Sequence, residues 1–158
     1  MSELSSRSTR LTIVGGGRMG EALIGGLLRS GWGSAQELAV VEPQTSRREE
    51  LGRLFPGVAV LDSAGPTAGA VLAVKPGDVQ AACERLAGAP TARVLSIAAG
   101  VRLAQLESWL GPHVVVVRAM ANTPALVGRG AAAVAAGATA GSDDLIWAEK
   151  ILSAVGVV

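Results

Sequence analysis

The chain has 158 residues, a formal net charge of +1 and 3% aromatic residues, with no tyrosine. One domain of that size buries a core without covalent staples. The interspersed charges and scarce rings argue against a nucleic-acid or anionic-membrane partner, and the single cysteine, Cys83, excludes an internal disulfide or a multi-cysteine metal site.

Residues 1–10, "MSELSSRSTR", carry basic residues without an apolar run beside them and read as a disordered lead; residues 11–158 form the domain. Leu11 to Val14 have the pattern of a strand buried on both faces. Met19, Ala22, Leu23, Gly26 and Leu27 then recur at helical spacing until "SGWG" stops them. A second strand follows at Leu38 to Glu42, and Ser46 with Glu49 predicts a capping box that opens a helix through Leu54. Short strands are expected at Val58 and at Ala70 to Val74. Val79, Ala82, Cys83 and Leu86 share one helical face, which makes Cys83 a core thiol. "RVLSI" from Arg93, a helix carrying Leu103, Leu106 and Leu110, and "HVVVVR" from His113 complete six strands. "AAAVAA" from Ala131, a helix from Asp143 bearing Trp147, Ala148, Ile151 and Leu152, and the final "VGVV" add two more strands. Apolar strands alternating with amphipathic helices predict an α/β fold with a doubly wound, mainly parallel sheet.

Between the first strand and the first helix lie Gly15, Gly16, Gly17 and Gly20. Gly15, Gly17 and Gly20 fit G-x-G-x-x-G, in which the first glycine permits a tight turn, the second admits a pyrophosphate and the third lets the helix pack closely. The helix start, Arg18 and Met19, offers N–H groups and a partial positive charge to that pyrophosphate. The expectation is a Rossmann-type domain with a dinucleotide site. Glu42 ends the second strand, where an acid accepts the adenosine ribose hydroxyls and favours NAD over NADP. Arg47 and Arg48 lie just beyond it, either as a solvated helix start or as partial compensation for a 2′-phosphate, so the pattern leaves NADH and NADPH both open.

Three more segments belong at the same sheet edge: "AVKPGDV" from Ala73, "SIAAGV" from Ser96 and "VRAMANTPALVGRG" from Val117. Lys75 either supplies a cation to the cofactor or stands exposed at the strand end. Asn122 either contacts the nicotinamide or shapes the turn before Pro124. Arg118 is expected to anchor a neighbouring loop, and His113, at the far end of its strand, is set aside as an acid or base. With no nucleophile set and no metal-ligand cluster, hydride transfer by a bound nicotinamide is the remaining chemistry, and no side chain is singled out as catalytic.

Together, "IVGGGRMGEALIGGLL", "AVKP", "SIAAGV" and "VRAMANTPALVGRG" resemble the pyrroline-5-carboxylate reductase family, from about Leu11 onward. The resemblance implies reduction of 1-pyrroline-5-carboxylate to L-proline by NADPH or NADH, the last step of proline biosynthesis; the single cysteine fits a reducing cytoplasm. It implies that Gly15 to Gly20 cradle the pyrophosphate and that Glu42 lies at the adenosine ribose. It also implies that Ala73, Val74, Lys75, Pro76, Ala98, Ala99 and Gly100 line the cofactor, with Met120 and Asn122 near the substrate. Where family members have Met-Pro-Asn, this chain has Met120, Ala121 and Asn122. Members continue into a helical domain that makes them homo-oligomers and supplies much of the substrate pocket; the expectation is that this domain is absent here. Two other readings are another NAD(P)-dependent dehydrogenase of similar architecture and a non-catalytic dinucleotide-binding module.

Overall fold

The computed structural model describes residues 9–158. Most of the expected lead, residues 1–8, lies outside the described residues. Thr9 and Arg10 are tied to the domain: Thr9 bridges Thr67, and Arg10 Nη1 donates to the Trp32 carbonyl at 2.7 Å.

The described residues form eight strands in one sheet, in the order β3-β2-β1-β4-β5-β6-β7-β8. These are β1 (Leu11–Val14), β2 (Leu38–Val41), β3 (Ala59–Leu61), β4 (Thr67–Leu72), β5 (Thr91–Ser96), β6 (Val115–Ala121), β7 (Gly130–Ala136) and β8 (Gly156–Val157). The first six pair in parallel, β7 turns antiparallel to β6, and β8 pairs parallel to β7. Order reverses between β1 and β4, which opens a crevice beyond the carboxyl ends of those two strands.

Helices α1 (Arg18–Arg29), α2 (Thr45–Leu54), α3 (Val79–Ala87), α4 (Leu103–Leu110) and α5 (Ser142–Leu152) cover the sheet. Leu23, Ile24 and Leu27 of α1 and Trp147, Ala148 and Ile151 of α5 pack on one face, against Leu11, Ile13, Val71 and Leu95. On the other face, Val79, Cys83 and Leu86 of α3 and Leu106 and Leu110 of α4 pack against Ala70, Leu72, Val94 and Val116. The central strands are therefore buried on both sides, which is why β1, β2 and β4 read as near-continuous apolar runs, with Thr12 and Thr67 buried among them.

Three local expectations shift. The Ser46–Glu49 capping box does not form; α2 starts two residues earlier, after Gln44, whose side chain makes no capping bond. β4 ends at Leu72 because its register closes there against Val14, so Ala73 and Val74 leave the strand and enter the crevice wall. β6 starts at Val115 rather than His113, after a turn through Gly111 at φ +89°, and runs on to Ala121. His113 is exposed at the end of the sheet remote from the crevice.

Candidate functional site

The crevice is a cavity of about 630 Å³ between the carboxyl ends of β1, β2 and β4 and helix α3. Its floor is the glycine turn. Gly15 sits at φ +110°, and a Cβ there would lie 2.5 Å from the Ala73 carbonyl oxygen, so the turn demands glycine twice over. Gly20 is buried directly against the Gly15 carbonyl, which a Cβ would strike. Gly17 is different: nothing lies within 4 Å of its missing side chain, and that open space faces the cavity. Gly17 is also the residue before α1, whose first-turn N–H groups have no intrahelical acceptor. The result is a cradle at a helix start, open where a diphosphate fits and closed where the chain packs on itself.

The side wall holds the acid. One Glu42 oxygen accepts from the Gly16 N–H at 3.3 Å and the other from the Gln44 N–H at 2.9 Å. Arg47 closes the same corner: Nε donates to the Gly16 carbonyl at 2.6 Å, and its other nitrogens pair with Glu21 at 2.5 Å and Glu50 at 2.9 Å. Those two carboxylates hold the guanidinium still more firmly protonated than usual. Arg48 donates to the carbonyls of Glu42 and Pro43 and to the Thr45 hydroxyl. Neither arginine is the solvated helix start weighed from the sequence; both are structural clamps on the β2–α2 connection.

Of the residues expected at the site, Gly15, Gly16, Gly17, Glu42, Ala73, Val74 and Lys75 line the cavity. Arg18, Met19, Gly20 and Pro76 flank it: Gly20 packs under the turn, Met19 packs on the core, and Pro76 opens the short turn before α3. Ala98, Ala99 and Gly100 lie outside it on the next stretch of the same edge, which the Ile97 N–H ties to the Leu72 carbonyl at 3.2 Å. Ala98 is buried in the core, while Ala99 and Gly100 are exposed. Asp62, Ala64, Asp78, Ala81 and Arg85 also line the cavity and were not expected. Asp62 and Ala64 follow a three-residue strand with no motif around it, whereas Ala81 and Arg85 stand one turn apart on α3, both exposed and outside its buried stripe.

Past β5 the edge changes. Arg118 pairs in register with Ser96, and the next three residues of β6 pair only with β7, so a hairpin rises beyond the rest of the sheet. Met120 stands on it, 55% exposed. The Asn122 side-chain oxygen accepts from the Ala131 N–H at 2.9 Å and holds the hairpin loop closed. Arg118 anchors no loop, contrary to expectation: its Nε is buried without a partner, and Nη2 lies 3.8 Å from the Met120 sulfur. Cys83 is fully buried, and burial pushes its thiol up to about 11, so it takes no part in the site. Among the described residues no His/Cys/Asp/Glu group could hold a metal ion, and no helix is long and apolar enough to cross a membrane.

A parallel sheet in the order 3-2-1-4-5-6, with a glycine turn and helix start at its switch point, defines a Rossmann-type dinucleotide-binding domain. The chain belongs to the family described as NADP oxidoreductase, coenzyme F420-dependent, whose model matches residues 10–100. Beyond that family match, the chain is 39% identical to the pyrroline-5-carboxylate reductase of Pseudomonas aeruginosa over 153 residues, 94% of this chain and 56% of that protein. In structure it is similar to a pyrroline-5-carboxylate reductase from Coxiella burnetii, with TM-score 0.87 and 32% identity over 96% of this chain and 58% of the other. It shares the fold of a Plasmodium falciparum pyrroline carboxylate reductase solved with NADP bound, at TM-score 0.76 and 24% identity, over 94% of this chain and 56% of the other. The chain thus spans a little over half the length of the relatives it matches.

Proposed function

We propose that this chain is the dinucleotide-binding part of an imine reductase that converts 1-pyrroline-5-carboxylate to L-proline with NADPH or NADH in the cytoplasm. The observation that carries the reading is the continuous similarity to pyrroline-5-carboxylate reductases over 94% of the chain. The match to the F420-dependent family model ends at residue 100, whereas the motif from Val117 to Gly130 lies beyond it and within the stretch similar to pyrroline-5-carboxylate reductases.

A bound dinucleotide fits the residues present. Gly17 leaves room for the pyrophosphate, Gly15, Gly16 and Gly20 hold the turn, and the α1 start at Arg18 and Met19 supplies N–H donors. Glu42 accepts the ribose hydroxyls, and Ala73, Val74, Lys75 and Pro76 carry the cofactor across the switch point. Ala98, Ala99 and Gly100 support its nicotinamide end, and Met120 and Asn122 border the substrate. The reduced nicotinamide supplies the hydride for the carbon of the C=N bond. The nitrogen takes a proton, and the product is the saturated ring. No side chain of this chain is assigned the proton. Relatives extend well beyond this length, and a further helical domain completes the substrate pocket and the homo-oligomer.

The test is oxidation of NADH and NADPH by the 158-residue chain in the presence of 1-pyrroline-5-carboxylate, followed at the nicotinamide absorbance. Dependence of oxidation on the imine supports the complete reading. Dinucleotide binding without turnover restricts this chain to the cofactor half of the enzyme, and failure to bind either dinucleotide overturns the proposal.

A further inference from the structure

We propose that the cavity selects NADH over NADPH, with Glu42 as the selecting residue; this rests on the dinucleotide reading above and extends it. The argument begins with what fixes the carboxylate. Gly16 and Gln44 each donate one backbone N–H to it, one to each oxygen, so it is held at the end of β2 and does not swing aside. A carboxylate oxygen accepts more than one hydrogen bond, so both oxygens retain capacity toward the cavity. A ribose with free 2′ and 3′ hydroxyls donates to that capacity. A 2′-phosphate has no proton to give at neutral pH and brings a like charge to a fixed anion.

Such a clash is relieved in principle by a neighbouring cation. Arg47 and Arg48 stand in the right segment for that, yet both are committed. Arg47 is bonded to the Gly16 carbonyl, Glu21 and Glu50, and Arg48 to the carbonyls of Glu42 and Pro43 and the Thr45 hydroxyl. Releasing either one breaks bonds that close the β2–α2 connection. The other cations of the cavity, Lys75 and Arg85, belong to the opposite wall, at the end of β4 and on α3. Asp62, just past β3, adds a second carboxylate on the β2 side. The corner that receives the 2′ position is therefore anionic, with its nearby arginines already engaged.

The experiment is direct binding, by nicotinamide fluorescence and calorimetry, of NADH and NADPH to the chain and to a Glu42→Gln variant. Glutamine keeps a side-chain oxygen for the Gly16 N–H and removes the charge. Opposed like charges cost enough that NADH should bind at least about tenfold tighter than NADPH, and the variant should narrow that ratio to within about threefold. The wild-type ratio should also shrink as salt rises. NADPH binding as tightly as NADH to the unaltered chain overturns the proposal while leaving the dinucleotide site intact. An unchanged ratio in a folded Glu42→Gln variant removes Glu42 as its cause. If neither dinucleotide binds, the dinucleotide reading falls and the selection falls with it.

Discussion

The two halves of the sheet edge are built differently. Around the switch point, Glu42, Arg47 and Arg48 all have bonded partners, and the cavity has walls from β2, β4 and α3. At the β6–β7 hairpin, Met120 is 55% and Val127 75% exposed, Ala131, Ala133 and Ala135 face outward, and Arg118 Nε has no partner. The first half has a binding geometry assembled from described residues alone; the second presents a single wall. Under the function proposed above, the first half holds the dinucleotide and the second presents the imine to it.

The sharpest way to break that comparison is a pair of glycine substitutions. Gly20→Val drives a side chain into the Gly15 carbonyl and should cost more than about 3 kcal/mol in urea unfolding, the severe end of overpacking. A Cβ at Gly17 meets nothing in the protein, so Gly17→Val, a poorer N-cap for α1, should cost no more than about 1 kcal/mol, while nicotinamide fluorescence shows dinucleotide affinity falling at least about 100-fold. Normal binding by Gly17→Val would mean that the cradle is not where the ligand lies.

A smaller effect is expected from Arg47→Ala. The Glu21 and Glu50 carboxylates are 40% and 54% exposed, so their ion pairs add little, and the loss comes mainly from the bond to the Gly16 carbonyl. About 1–2 kcal/mol of stability should go, measurable by chemical denaturation. A drop within error would show that the glycine turn holds its shape without the clamp. Smallest of all is Asn122→Ala, which removes the bond to the Ala131 N–H and should cost about 1 kcal/mol. Its affinity for ADP-ribose, which needs only the cavity half, should stay within about twofold by calorimetry, because distant sites act independently. A tenfold loss there would join the two halves into one unit.

The same division explains what was legible in the sequence. The glycine turn was readable because its glycines answer separate steric demands, and the buried strands because little besides Thr12, Thr67 and Ser96 is polar among their buried positions. The clamp was not: Arg47 and Arg48 look like any charged first turn, and the Arg47 partners Gly16 and Glu21 lie 31 and 26 residues away in sequence. The capping box failed for a related reason. The start of α2 is fastened by the Gln44 N–H donating to the Glu42 carboxylate and by Arg48 donating to the Thr45 hydroxyl, so Ser46 falls inside the helix. The cavity wall at Asp62 and Ala64 was invisible because a loop after a three-residue strand acquires its position only from the sheet register.

The reversal of β7 has a consequence for anything attached to this domain. Because β7 descends from the hairpin and α5 climbs back, β8 starts beside Gly130, level with the top of the hairpin and not with the remote end of the sheet. A polypeptide fused after Val158 would start at the rim where Met120 stands and would need almost no tether to reach it. With so short a connection, its local concentration over the hairpin would sit in the millimolar range or above, enough for a weakly adhesive surface to dock there most of the time.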